Sequence, residues 1–241
     1  MLIPYVGEKT EIANFITPHI PTDMLTYVEP FGGMCGVFFS LDFAKYRKVN
    51  FIYNDQNRLN YILFKKLKEE NFISLVKDTS VTEEVYKQCF KQLITEKDED
   101  KIALNWLIIL CCSSPHQIDK PSWVGNDEFE IFKFKHSAYS YHLNKINEIH
   151  NLDYKEVIKM YDSKDTFFYI DPPYWGKENK HINHSFTKES HIELASVLNN
   201  IEGRFILSYY HFDGLEELYP TCTIDSIMTI VGTELLIKNY Q

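Results

Sequence analysis

The sequence has no excess of positive charge, since 25 lysines and arginines stand against 34 aspartates and glutamates. The formal charge of −9 excludes a protein that binds nucleic acid through its overall field, although a local basic face stays possible. The five cysteines are odd in number and lack metal-ligand spacing. We therefore expect reduced thiols, no bound metal and a cytoplasmic protein.

The sequence also lacks the features of secreted and membrane proteins. Its first residues show no charged region followed by an apolar core, so we expect no signal peptide. The longest apolar stretch, Ile102–Cys112, contains Asn105 and is too short to span a bilayer. A hydrophobic content of 44% over 241 residues instead predicts a core for one catalytic domain with an insertion, or for two small domains.

The most informative stretch is the tetrad Asp171, Pro172, Pro173 and Tyr174, which follows the apolar run Thr166–Ile170. That run predicts a buried strand, and the prolines must end it because they lack an N–H and fix φ. The result is a stiff loop at the carboxyl end of a strand, where open α/β sheets bind ligands. A fixed carboxylate beside an aromatic ring suits a planar amine. The alternative is an ordinary turn with a capping aspartate.

Two earlier strand ends carry further candidates. The predicted strand Leu25–Val28 ends in a glycine turn, in which the backbone can approach a ligand closely. The next predicted strand, Val49–Tyr53, is followed by Asn54 and Asp55. An acid in that place is the expected acceptor for a ribose hydroxyl in nucleoside-binding folds. Alternatively, Asp55 only caps the helix that follows.

The order of predicted elements indicates an α/β fold that is interrupted between about residues 71 and 150. Helices are predicted over Val37–Phe43, Gln56–Glu70, Thr82–Thr95, Asp100–Cys112, Ser137–Ile149 and Lys188–Asn199, and a strand-like alternation over Glu128–Lys135. Later strands are predicted over Leu152–Tyr154, Thr166–Ile170, Arg204–Ser208, Cys222–Met228 and Thr233–Asn239.

Several motifs, in this order, resemble those of Dam-type DNA adenine-N6 methyltransferases, which use S-adenosylmethionine. The motifs are Tyr5-Val6-Gly7-Glu8-Lys9, Glu29-Pro30-Phe31-Gly32-Gly33, Asn54-Asp55 and the Asp171 tetrad, with weaker support from Leu207–Tyr210 and Glu234–Asn239. The resemblance covers most of the chain except roughly residues 75–135. Two positions depart from the family pattern: Glu8 replaces a second glycine, and Cys35 replaces a later one, with Gly36 one place late.

The resemblance implies a Rossmann-like methyltransferase sheet, mostly parallel with one antiparallel strand near the C-terminus. It also implies a mainly helical target-recognition insertion that carries a β-hairpin. We place the catalytic domain at residues 1–60 and 148–241, and the insertion at residues 61–147. The cofactor-binding residues implied are Tyr5, Lys9, Glu29, Phe31, Gly32, Gly33, Asp55 and Asp171.

The implied chemistry is methyl transfer to the exocyclic N6 amine of an adenine flipped out of duplex DNA. Asp171 and the Pro172 carbonyl would accept the amine protons, Pro173 would stiffen the loop, and Tyr174 would stack on the base. Less specific candidates are Asp153 for the cofactor adenine, and His181 and His184 as bases. Candidate DNA contacts in the insertion are Lys120, Ser122, Trp123 and Asn126, supported by Lys65, Lys66, Lys68, Lys133, Lys135 and His136.

Other functions stay open at this point. One is methylation of RNA adenine or of cytosine N4, although an acid at the first tetrad position favours adenine. Another is a catalytically quiet partner subunit that binds nucleic acid, which the acidic charge and the Glu8 and Cys35 departures suggest. The sequence leaves the recognition site open, as well as the choice between monomer and homodimer and between phage-borne, restriction and epigenetic roles.

Overall fold

A computed structural model describes residues 3–5, 7, 9–114, 122–175, 186–229 and 232–241. In these ranges a seven-stranded sheet has the order β3-β2-β1-β4-β5-β7-β6. Neighbouring strands are parallel except at β7, which runs antiparallel to both β5 and β6. The strands are β1 (Thr26–Glu29), β2 (Asn50–Asn54), β3 (Ile146–His150), β4 (Thr166–Ile170), β5 (Arg204–Tyr210), β6 (Thr223–Thr229) and β7 (Gly232–Lys238). The predicted fold class is confirmed.

The central strand β4 shows why this sheet is covered on both faces. All five of its residues are buried, and they are aromatic or β-branched, as is typical of parallel strands between helical layers. Because side chains alternate along a strand, Phe167 and Tyr169 enter one hydrophobic cluster, while Phe168 and Ile170 enter the other. β4 therefore anchors both layers, and the loop that follows it has a rigid base.

Helices fill the two layers and the insertion. They are α1 (Ala13–Ile16), α2 (Arg58–Lys66), α3 (Glu70–Asp78), α4 (Glu83–Gln92), α5 (Glu99–Cys112), α6 (Asp127–Leu143), α7 (Tyr154–Tyr161), α8 (Lys188–Leu198) and α9 (Leu215–Leu218). Short 3-10 helices lie at Thr17–His19 and Phe38–Ser40. Within the described ranges, none of the helices is both long and apolar enough to cross a membrane.

The helix α5 forms the centre of the insertion. It packs against α2, α4 and α6, and it buries residues on every side, among them Ala103, Trp106 and Ile109. The same hydrophobic cluster continues to Phe51 and Phe167 of the sheet. The insertion thus shares one core with the sheet.

The structure corrects several predicted elements. The strand over Glu128–Lys135 is wrong, because these residues belong to α6. Phe129, Phe132 and His136 are buried at helical spacing, whereas a two-residue alternation fits the same short run by chance. The antiparallel contact in the insertion is instead a single bridge between Ser113 and Trp123, which closes the loop between them.

Boundaries around β3 and in the first helices also differ from prediction. The helix expected over Ser137–Ile149 ends at Leu143, and Ile146–His150 is a strand. The expected strand Leu152–Tyr154 instead begins α7, whose N-cap Asp153 accepts a hydrogen bond from Lys155 N. The single helix expected over Gln56–Glu70 is divided into α2 and α3, and only a 3-10 turn forms within Val37–Phe43.

Candidate active site

Three loops meet where the strand order of the sheet reverses. The chain moves from β1 outward to β2 and β3, and from β4 outward to β5 on the other side. The carboxyl ends of β1 and β4 therefore flank a switch point, which is where open α/β sheets bind ligands. Residues 30–36, here called the glycine loop, follow β1, while Asp55 follows β2 and the Asp171 tetrad follows β4.

Asp55 ties the glycine loop to the start of α2. Its Oδ2 accepts hydrogen bonds from Gly33 N at 2.9 Å and from Asn60 Nδ2 at 3.0 Å. Its Oδ1 accepts one from Asn57 N at 2.7 Å. The carboxylate thus holds both the loop and the helix start, so the capping alternative is part of its role. The ribose contact stays a prediction.

The backbone of the glycine loop explains which residues it tolerates. A Cβ at Gly32 would lie 2.3 Å from the ring of Tyr53, so packing against β2 requires a glycine there. Gly33 has φ +49° and Cys35 has φ +55°. Cys35 therefore adopts the left-handed conformation that glycine favours, at a position where the family pattern has a glycine. Glu8 lies outside the described residues.

Glu29 and Asn54 support this loop from below. Glu29 is 3% exposed and accepts hydrogen bonds from the Tyr27 hydroxyl at 2.6 Å and from Phe38 N at 3.2 Å. Burial raises the pKa of Glu29 to about 7. The fully buried Asn54 donates to the carbonyls of Pro30 and Leu152. These contacts fix the loop, and the direct cofactor contact predicted for Glu29 stays a prediction.

The Asp171 tetrad meets a lysine from the start of the chain. Lys9 Nζ lies 3.0 Å from Asp171 Oδ1 and 3.9 Å from Glu234 Oε1, and it donates to the Gly7 carbonyl at 2.8 Å. The Asp171 side chain is 20% exposed, so a ligand can reach it. Burial raises the pKa of Asp171, while the charge of Lys9 and its hydrogen bond to Asp171 lower it.

The ring of Tyr174 is held on several sides. Tyr209 stacks on it with 5.4 Å between centroids and 16° between planes, while Tyr210 meets it nearly at a right angle at 4.6 Å. Lys9 Nζ lies 4.8 Å from the ring centroid, and the hydroxyl donates to Glu234 Oε1. Because the ring of Tyr209 covers one face, a base could stack only on the other.

A family model for "D12 class N6 adenine-specific DNA methyltransferase" matches residues 5–233 of this sequence. The chain belongs to this family. It is a site-specific DNA methyltransferase that acts on adenine N6, as the resemblance implied.

Two similar proteins carry related names. The "Type II methyltransferase M.CviBI" of Paramecium bursaria Chlorella virus NC1A is 21% identical over 231 residues, covering 90% of this chain and 85% of the relative. The solved rRNA methyltransferase aviRa from Streptomyces viridochromogenes aligns over 95% of this chain and 84% of its own length, with 9% identity and a TM-score of 0.42. At that TM-score, the likeness adds nothing to the family match.

Two aromatic residues expected at the cofactor lie beside the glycine loop of the methyltransferase. The Tyr5 hydroxyl accepts a hydrogen bond from Asn60 Nδ2 at 3.1 Å, and its ring lies against Gly33. Burial raises the pKa of Tyr5. Phe31 stacks on Tyr154 at 5.0 Å and forms part of an apolar wall. Both residues are half-buried, as a ligand-facing side chain requires.

The predicted DNA contacts of the methyltransferase differ in exposure. Ser122 is exposed, and the half-buried Trp123 packs 5.4 Å from Tyr86 at the base of the loop. Asn126 donates to the Val81 carbonyl at 3.1 Å, so its amide supports the entry to α6. Lys120, together with the candidate bases His181 and His184, lies outside the described residues.

The expected basic face of the insertion is largely neutralised. Lys65 pairs with Glu99, Lys66 with Asp100 and Glu69, and Lys133 with Glu130, while Lys68 donates to the Ile146 carbonyl. Lys135 is exposed. His136 is buried, 7% exposed, with Nε2 beside the Leu67 carbonyl. The prediction that His136 flanks a DNA-binding hairpin is therefore wrong.

Two residues near the site were not assigned a role from sequence. His191 of α8 is buried, and its Nδ1 shares a hydrogen bond with the Tyr209 hydroxyl, so it supports the ring behind Tyr174. Burial lowers the pKa of His191 to about 4, which keeps it neutral. In the sequence, Glu234 stood out only as the first residue of a motif. Within the described residues, no cluster of His, Cys, Asp and Glu could hold a metal ion.

Proposed function

We propose that the enzyme transfers a methyl group from S-adenosylmethionine to the N6 amine of an adenine flipped out of duplex DNA. The observation that carries this proposal is the pairing of an accessible Asp171 carboxylate with the Tyr174 ring at the switch point. The enzyme would act in the cytoplasm as a monomer or homodimer, where reduced thiols fit the free cysteines of the described chain.

The residues present suit the proposed cofactor. Asp171 and Glu234 bring two carboxylates to the strand ends, whereas Lys9 brings one positive charge. An excess of acids favours a cationic ligand, and the sulfonium of S-adenosylmethionine is one. When bound, this cofactor supplies an electrophilic methyl group. The residues proposed to hold it are Tyr5, Lys9, Glu29, Phe31, Gly32, Gly33, Asp55 and Asp171.

The chain's contribution to transfer would be positioning and electrostatics. An adenine amine is a weak nucleophile because its lone pair is delocalised into the ring. Asp171 and the Pro172 carbonyl would accept hydrogen bonds from the two amine N–H groups and orient the lone pair of the nitrogen. One amine proton would leave after methyl transfer. Pro173 keeps the loop rigid, and Tyr174 would replace the stacking that the base loses when it leaves the duplex.

The insertion, residues 61–147, is proposed to recognise the DNA. Ser122 is exposed, and Trp123 forms an isolated bridge with Ser113. These two residues are proposed to contact DNA, together with Lys120, which lies outside the described residues. Asn126 would act indirectly, because its amide holds the Val81 carbonyl where α6 begins.

A transfer assay tests the proposal. The purified enzyme is given tritiated S-adenosylmethionine with duplex DNA, single-stranded DNA or RNA, and modified bases are mapped in the products. We expect N6-methyladenine in duplex DNA at one short sequence. Asp171→Ala should lower the rate by roughly 10²–10³, the scale for a fixed electrostatic partner.

A control variant tests whether losing any acidic charge, and not Asp171 in particular, lowers the transfer rate. Glu217→Gln removes one exposed acid on α9 and should transfer at the parental rate. Transfer to RNA alone, methylation at cytosine, or near-parental transfer by Asp171→Ala would each overturn the proposal. An enzyme that binds nucleic acid but no cofactor in calorimetry would instead match the partner-subunit alternative.

A further inference from the structure

Glu234 reaches the active site because β7 is reversed. Strand β7 runs antiparallel to β5, so its amino end lies at the edge where β4 and β5 end. Glu234 pairs directly with Tyr210 of β5 and is 3% exposed. A buried carboxylate is costly unless charged or hydrogen-bonding partners compensate it. The groups that Glu234 contacts therefore indicate its role.

Two groups of the candidate site are partners of Glu234. Its Oε1 accepts the Tyr174 hydroxyl hydrogen bond and lies 3.9 Å from Lys9 Nζ. The same Nζ lies 3.0 Å from Asp171 Oδ1. Two carboxylates thus share one ammonium, and Lys9 lies closer to Asp171. That position places Lys9 on an oxygen that the target amine would need.

We propose that Glu234 is a positioning residue that takes over Lys9 when the target amine binds Asp171, while it holds Tyr174 by the hydroxyl. This inference rests on the proposed role of Asp171 toward the amine. Charge-assisted N–H···O bonds are about 2.7–2.9 Å long, so the transfer needs a shift of Nζ of only about 1 Å. Without a second carboxylate, freeing Asp171 would leave the buried ammonium without a partner of opposite charge.

Neighbouring titratable groups influence the charges of Asp171 and Glu234. The titratable side chains that act on Asp171 or Glu234 are Lys9, Glu29, Tyr169, Tyr174 and Tyr210. Burial raises the pKa of Tyr169, Tyr174 and Tyr210, so these three stay neutral in the working pH range. Removing the charge of Glu234 then takes away a like charge beside Asp171, which lowers the pKa of Asp171.

The first test measures turnover. Glu234→Gln keeps an oxygen for the Tyr174 hydroxyl but removes the charge, so Lys9 should stay on Asp171. We expect a roughly 10- to 100-fold lower single-turnover rate, the scale of one altered charge-assisted bond, with cofactor and DNA affinity within about twofold of the parent. The acid limb of the rate profile should move to lower pH. Glu217→Gln should match the parent in each measurement.

A double-variant cycle separates the two contacts of Glu234. Tyr174→Phe removes the hydroxyl but leaves the exchange of Lys9 between the two carboxylates intact. The rate losses of Tyr174→Phe and Glu234→Gln should therefore multiply in the double variant. If Glu234 is only a buried structural residue, Glu234→Gln lowers the melting temperature and leaves the rate and pH profile of the folded fraction unchanged. That result overturns the proposal.

The second test does not depend on methyl transfer. Carboxyl ¹³C NMR of the cofactor-free protein, labelled at aspartate, follows the titration of Asp171, whose signal is assigned with Asp171→Asn. Glu234→Gln should shift this titration to lower pH. An unchanged titration overturns the coupling, whatever the enzyme methylates. A shifted titration in a protein that transfers no methyl group supports the coupling and refutes the proposed function alone.

Discussion

Asp55→Ala separates two roles of one carboxylate. Three N–H groups donate to Asp55, from Gly33, Asn57 and Asn60, at 2.7–3.0 Å. Hydrogen bonds to charged groups each contribute about 1.5–3 kcal/mol. They are not additive, and at this half-buried site water can replace part of them. We therefore expect the free energy of unfolding to fall by about 2–4 kcal/mol in all.

The proposed ribose contact would add a separate loss in cofactor binding. Removing one more charge-assisted bond weakens affinity by roughly 10- to 100-fold. Calorimetry with S-adenosylhomocysteine and its 2′- and 3′-deoxy analogues isolates this contact. The parent should bind the deoxy analogue that lacks the bonded hydroxyl more weakly than S-adenosylhomocysteine. Asp55→Ala should bind the two with almost equal affinity.

A matched control and two outcomes decide the reasoning. Asp98→Ala is the same substitution at a remote N-cap, where the Asp98 carboxylate accepts a hydrogen bond from Lys101 N. It should lower stability by about 1 kcal/mol and leave cofactor affinity unchanged. If Asp55→Ala has the same free energy of unfolding as the parent, the role of Asp55 in holding the glycine loop is refuted. A deoxy-analogue penalty equal to that of the parent would refute the ribose contact.

Three further substitutions test the packing and charge of the site. Tyr174→Phe loses the hydrogen bond to Glu234 and should transfer methyl groups roughly 10- to 100-fold more slowly. Tyr174→Ala also loses about 1–3 kcal/mol of base stacking, so equal rates for the two variants would contradict a stacking role. Glu29 has a folded pKa of about 7 against an ordinary 4.5. Between these values the folded state keeps a proton that the unfolded state loses, so stability should fall as pH rises, and Glu29→Gln should remove that slope in urea denaturation at pH 5 and pH 7. Gly32→Ala would place a Cβ 2.3 Å from the buried ring of Tyr53, so we expect a loss of about 1–3 kcal/mol, which a parental melting temperature would refute.

Strand ends were the most predictable part of the fold. Thr166–Ile170 matches the observed β4 because two prolines end the pairing there. Helical insertions gave less reliable signals. Over Glu128–Lys135 the residues fit both a period of two and a period of 3.6, and only the burial of Phe129 and Phe132 in the tertiary structure decides between them. Short windows of this kind cannot distinguish strand from helix by pattern alone.

Contacts between distant residues were predictable only where strand order implied them. The Asp171 loop and the glycine loop were expected together, because the carboxyl ends of parallel strands lie at one edge. Glu234 could not be placed in this way, since its position depends on the reversal of β7 and on its register with Tyr210. A single acid before an apolar strand is a weak signal, because the same pattern occurs at many exposed strand ends.

Cys35 shows why a departure from a family pattern must be judged by backbone conformation. Its φ of +55° is the conformation for which glycine is preferred, and a side chain there costs roughly 1–2 kcal/mol. The cost is offset in part because Cys35 is buried and its N–H donates to the Gly32 carbonyl at 2.8 Å. The glycine loop therefore accommodates a cysteine at a position whose backbone conformation favours glycine. The Cys35 departure alone does not argue for a catalytically quiet protein.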